Sequence, residues 1–214
     1  MLQNKALLLF LLKAAVFYAL LSAPFSLYDK AYGMFYRQVA GYVFHDFRDG
    51  GFVMFRELDD PATTHVLIGS YALLRPDKTT ETLERFVNTR YLGYIPTVLL
   101  ISLVLASPVP WKRMIVALAA GLLLVTMLIL FKQWISLLWH CEHNKWLNLT
   151  NFSGTRQHLF MFIYGIVCAS SSTVLYFVVA IWLLATFRLD DFKTVKEKIK
   201  RDSTPLKIPG KSTK

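Results

Sequence analysis

Two cysteines and five histidines in 214 residues leave no material for a disulfide-rich secreted module. Charge is also scarce: Asp, Glu, Lys and Arg make up 18% of the chain, with only 14 acids against 24 bases. Soluble domains sit near about 25% charged. Together with the high apolar content, this excludes a disordered tail and a coiled coil as descriptions of the whole chain. Glycine-rich phosphate loops are missing, since Asp49-Gly50-Gly51 has neither the length nor the lysine of one. No nucleic-acid motif accompanies the basic excess of +10, so nucleic acid is not an expected partner.

Apolar residues are plentiful: 55% of the chain is hydrophobic, 14% is aromatic and the mean hydropathy is +0.42. They fall in long blocks. Ala6–Ala23 is interrupted by Lys13 and Ser22. Tyr91–Ser107 ends before Pro108 and Pro110. Met114–Phe131 carries no charge and resumes at Trp134–Trp139, and Leu159–Phe187 is uncharged throughout. About 20 apolar helical residues cross the roughly 30 Å of a bilayer core.

The expected fold class is therefore an integral membrane, mainly α protein. It has four transmembrane helices and a small extracytoplasmic α+β module between the first and second. The expected divisions are a first helix at 1–23, the module at 24–90, a three-helix region at 91–187 (91–107, 114–139, 158–187) and a basic tail at 188–214. The first helix reads as an uncleaved anchor, because its apolar stretch is long for a signal peptide and Lys13 interrupts it.

Charge orients this arrangement. Residues 188–214 hold nine Lys/Arg and four Asp/Glu, and Lys112-Arg113 mark a short basic turn, whereas 24–90 holds eight basic and nine acidic residues. Basic short segments stay inside, which puts both termini in the cytoplasm and the module outside, in a multi-pass protein of a bacterial inner membrane. The lipid bilayer is the first partner. The tail's Arg188–Arg201 has an amphipathic spacing suited to the inner membrane surface.

Within the module, Tyr28–Phe47 is rich in aromatics, and its first half has the spacing of an amphipathic helix. Asp49-Gly50-Gly51 and Asp59-Asp60-Pro61 are turns around a strand at Phe52–Phe55, and Thr64–Leu74 is a second strand. Thr79–Val87 reads as a short helix, capped by Thr79 or Thr80 with glutamates near its start. His45 and Asp46 adjoin and, if extended, point apart, so they read as surface residues.

Chemistry concentrates at Trp139-His140-Cys141-Glu142-His143. Cys141, polarised by His143 and joined by Arg156 and His158 from the next segment, would make a thiol or acid–base site. His140, His143 and His158 are the candidate metal ligands, His140 and His143 sharing a helix face at a spacing of three. The helical HExxH signature is missing, so no cofactor is expected beyond a metal held by this trio. Flanking Trp134, Trp139 and Trp146 also suit an interfacial belt.

Arg90 precedes Tyr91 and Tyr94 and is the candidate contact for a lipid headgroup or substrate carboxylate. Gly165, Ala169 and Ser172 form a small-residue face for helix packing. The leading functional expectation is a non-catalytic accessory or assembly subunit of a cell-envelope membrane complex, with a membrane or envelope protein as partner. The alternatives are a membrane-embedded thiol or metal-dependent enzyme centred on Cys141 and His143, and a transport component.

Overall fold

The computed structural model describes residues 2–23, 25–48, 50–74, 80–147, 149–150, 152–168 and 173–186. Helix α1 (Leu2–Ser22) is followed by α2 (Ser26–Phe44). Strands β1 (Asp46–Phe47), β2 (Gly51–Glu57), β3 (Thr63–Leu74) and β4 (Thr80–Asn88) come next. A π-helical turn at Arg90–Tyr94 then runs straight into α3 (Ile95–Ala106). Helix α4 (Trp111–His143), a 3-10 turn at Lys145–Leu147, α5 (Thr155–Val167) and α6 (Thr173–Thr186) complete the chain. The tail 188–214, Ala169 and Ser172 lie outside the described residues.

The expectation of four transmembrane helices is corrected. Among the described residues one helix, α4, is long and apolar enough to cross a membrane. The segment predicted at 91–107 supplies only the 17 residues Arg90–Ala106, begun by a π-helical turn and ended just before Pro108. The segment predicted at 158–187 divides into α5, 13 residues, and α6, 14 residues. Each rises only about 20 Å. Helix α5 closes at Cys168, whose backbone N–H donates to the Tyr164 carbonyl. Helix α1 meets α2 at an 83° bend, and the two satisfy the length test only if read as one broken element.

Helix α4 outruns the 114–139 segment read from sequence, covering 33 residues. Only 28% of its most apolar stretch is buried within the protein, whereas the core helix of a soluble domain is mostly covered. That exposure, with the uncharged Met114–Phe131, points to membrane association.

The four strands form one antiparallel meander in the order β1-β2-β3-β4. Within the expected helix at 79–87, Thr79 lies outside the described residues and residues 80–87 belong to strand β4 instead. Pairing along the length of β3, with Ile68 opposite Leu83 and Val66 opposite Arg85, outweighs the local capping signal. Residues 83, 85 and 87 thereby face inward with Val53, Phe55, Val66 and Ile68, and residues 84 and 86 face out. Helix α2 packs on the sheet through Tyr36, Ala40 and Phe44, and Phe55 meets Tyr36 edge-on at 5.8 Å between ring centroids.

Two turns fix the sheet. Asp60 accepts Thr63 Oγ1 at 2.6 Å and the Ala62 N–H at 3.1 Å, and these bonds, the threonine's first, hold its exposed carboxyl below the usual range. At the other end Arg48 (φ 57°) and Gly50 (φ 84°) take left-handed conformations. A Cβ on Gly51 would lie 2.3 Å from the Phe47 carbonyl oxygen and 2.9 Å from the Leu149 side chain. Gly51→Ala is therefore expected to cost about 1–3 kcal/mol, read as a lowered unfolding midpoint in mild detergent. An unchanged midpoint would mean that Phe47 and Leu149 move aside freely.

Candidate functional site

The residues singled out around Cys141 occupy the last turn of α4, and the helix separates Cys141 from His143. Positions two apart on an α-helix differ by about 200° in direction, so Cys141 and His143 face different ways. Cys141 is 1% exposed and belongs to the buried core that includes Leu137, Leu138 and Leu147. His143 is exposed, with Nδ1 at 3.0 Å from the Trp139 carbonyl oxygen and its ring 3.9 Å from the Trp139 ring. His140 meets Trp139 edge-on at 4.8 Å. Asn144 closes the helix, its backbone N–H and Nδ2 both donating to the His140 carbonyl.

Arg156 and His158 sit exposed in the first turn of α5. Among the described residues, no three His, Cys, Asp or Glu side chains group so as to hold a metal, so His140, His143 and His158 are not brought together as a ligand set. Gly165 is exposed, and among the described residues nothing lies within 4 Å of a Cβ built there. His45 and Asp46 are surface residues, but they do not point apart: their side chains bond at 3.0 Å because residue 45 closes α2 rather than entering a strand.

Arg90 is tied inward. Its Nη1 donates to Asp29 Oδ2 at 2.6 Å and its Nη2 to the Ser22 carbonyl at 2.7 Å, and the guanidinium lies 5.8 Å from the centre of the Tyr94 ring. Tyr94 Oη donates to the Leu21 carbonyl. Both partners of the ion pair are largely buried, at 16% and 10% side-chain exposure. Arg90 and Tyr94 thus satisfy two carbonyls at the C-terminal end of α1, where a cation also complements the helix dipole.

A second group of residues, spread over three elements, surrounds a cavity of about 430 Å³ between β4, α4 and α5. Arg85 enters from the inner face of β4, where its neighbours Leu83 and Val87 and its cross-strand partner Val66 are apolar. One of its Nη atoms donates to Ser136 Oγ at 2.5 Å. Burial lowers the Arg85 pKa, and the nearby Tyr164, Cys168 and Tyr36 act in the opposite sense. An arginine still keeps its charge at every physiological pH.

Lys132 adds a second cation to the cavity wall, and Gln133, Tyr164 and Cys168 complete its polar part. Gln133 is 3% exposed, and its Nε2 has no hydrogen-bond partner among the described atoms. Phe86, Tyr91 and Leu92 form the apolar rim, and among the described residues no carboxylate lines the space.

Sequence reasoning missed this group because Arg85 was assigned to a helix. A strand assignment would have put it at an inward position by period two. The other available signal was Lys132-Gln133, which breaks the apolar run of α4. Another cavity, about 400 Å³, lies between α1, the 107–110 turn, the start of α4 and α6. Its lining is largely apolar, and Trp182 Nε1 donates to Ser107 Oγ at 2.9 Å beside it. No protein-family model, curated protein or solved structure matches this chain, so geometry and chemistry alone carry its functional reading.

Proposed function

We propose that this protein is a membrane-associated accessory or assembly subunit of a cell-envelope complex, engaging a partner protein through its α2–sheet module. One observation carries the reading: α2 is apolar on two faces. Tyr36, Ala40 and Phe44 cover the sheet, while Leu27, Met34, Phe35 and Tyr42 form an outward stripe, Tyr42 being 89% exposed. An amphipathic helix that buried its only apolar face against its own sheet would be polar outside. This one presents aromatic surface, the residue class that anchors protein interfaces.

The burial of Cys141 and the divergence of His143 support a role without thiol catalysis. The experiment is crosslinking of the tagged, full-length protein at native expression, followed by mild-detergent purification. A stoichiometric envelope protein, crosslinked at position 42 and lost with Tyr42→Asp while membrane association persists, is the expected result. Capture unaffected by Tyr42→Asp and Phe35→Asp would overturn the assignment of this face. Cys141→Ser is expected to leave both capture and cellular function unchanged, as measured by complementation. Complete loss of function with normal membrane insertion would instead make Cys141 a reactive centre.

A further inference from the structure

We infer that the cavity between β4, α4 and α5 binds a phosphate-bearing headgroup, held by Arg85, Gln133 and Ser136. A cation on the apolar face of a sheet is expensive unless something compensates its charge. The structure offers Arg85 a neutral serine hydroxyl and, among the described residues, no carboxylate partner. Lys132 lines the same wall. The Arg85 charge, matched by no acid among the described residues, is one that an anion in the cavity would neutralise.

Gln133 supplies an independent indication. Its buried Nε2 is a donor without an acceptor, in the wall of the cavity that the cations line. Buried donors are nearly always satisfied, and one that is not marks a place where an acceptor is due. A phosphate oxygen answers that need and the charge together. Arginine's planar fork also matches tetrahedral oxyanions in a two-point contact.

Height along α4 favours a headgroup over a bare ion. The 18 uncharged residues Met114–Phe131 rise about 27 Å, close to the thickness of a bilayer core. Lys132 and Gln133 follow immediately. Trp134 and Trp146 are both partly exposed nearby in the chain, at 39% and 43%, as in the aromatic belt of a membrane interface. The cavity therefore lies at phosphate depth. Phe86 and Tyr91, 63% and 67% exposed, give its mouth an apolar rim suited to the glycerol and first methylenes of an amphiphile.

The same chemistry is carried by an anionic phospholipid and by a soluble phosphate ester, and one experiment separates them. The full-length protein in a neutral detergent is given phosphatidylglycerol, phosphatidylcholine of the same acyl chains, or glycerol phosphate. Retention is read by native mass spectrometry and stability by thermal unfolding. One phosphatidylglycerol retained per chain, with a raised midpoint and no effect of glycerol phosphate, identifies a lipid site. A rise with glycerol phosphate of equal size identifies a soluble ligand and keeps the cavity's assignment.

Arg85→Gln and Gln133→Leu should each weaken retention about tenfold or more, as expected for charge-assisted or otherwise orphaned bonds. Arg56→Gln, at an exposed position on β2, should not. The two cavity variants enter from different elements, so a folding failure of one leaves the other as the test. The inference is overturned if neither phosphate compound binds or stabilises the wild type. It is equally overturned if a folded Arg85→Gln or Gln133→Leu protein retains phosphatidylglycerol as the wild type does.

Discussion

Replacing Asp29 by Ala is expected to destabilise the protein by about 3–5 kcal/mol. The cost arises from what is left behind. Arg90 would keep its charge, still held under α2 beside Tyr94, with the Ser22 carbonyl as its one remaining anchor. The reverse change, Arg90→Ala, would strand the Asp29 carboxylate, whose Oδ1 already has no partner among the described atoms, and would strip a donor from the end of α1. A double-mutant cycle in mild detergent, followed by thermal unfolding, measures the coupling. Removing both partners should cost much less than the two single losses together, because neither charge is then stranded. Strictly additive losses would show that the clamp is incidental.

Leu100→Ala should have the next largest effect, about 2–5 kcal/mol. Leu100 is fully buried and seats against Gly121, where a Cβ would come within 2.9 Å of its Cδ2. This is the contact that brings α3 close to α4: a large side chain opposite a position with none. Truncation removes the contact and leaves a cavity, because the two helices cannot close over it completely. Gly121→Ala should then be unfavourable or neutral in the wild type. In the Leu100→Ala background it should recover part of the loss, since alanine fills space there and gains about 1 kcal/mol of helix propensity. Equal effects of Gly121→Ala in both backgrounds, measured by the same unfolding assay, would show that the two side chains do not share a site.

Parts of this fold are legible in the sequence because they are local. The turns at 49–51 and 59–61 and the β-rich runs at 52–55 and 64–74 correspond to β2 and β3, which the structure extends to Gly51–Glu57 and Thr63–Leu74. Strand β4 is not legible, because Thr80, Glu81 and Glu84 imitate the start of a helix and only the neighbouring strand reveals the alternation of Leu83, Arg85 and Val87. Span counting failed for a similar reason. Apolar composition alone cannot show where a run breaks into two short helices, as between Val167 and Thr173, or where a π-helical turn shortens one.

The candidate sites follow the same division. His140, Cys141 and His143 are conspicuous in a linear reading, yet helical geometry turns Cys141 away from His143 and burial withdraws it. Arg85 and Ser136 are inconspicuous and 51 residues apart, and they meet only once the sheet is placed beside α4. Arg90 looked like a surface anchor because its partner Asp29 is 61 residues away.

The tether between α1 and the π-helical turn also sets an order of events during synthesis. Sheet neighbours are chain neighbours, so the meander closes through short loops and can form quickly. The end of α1, by contrast, waits for donors that lie 68 and 73 residues further along the chain. At ribosomal speeds of about 5–20 residues per second, that delay is roughly 3–15 s. Throughout it, a leucine-rich helix is outside the ribosome with its last carbonyls unclaimed, which makes α1 the segment most dependent on a bilayer or a chaperone while the chain is being made.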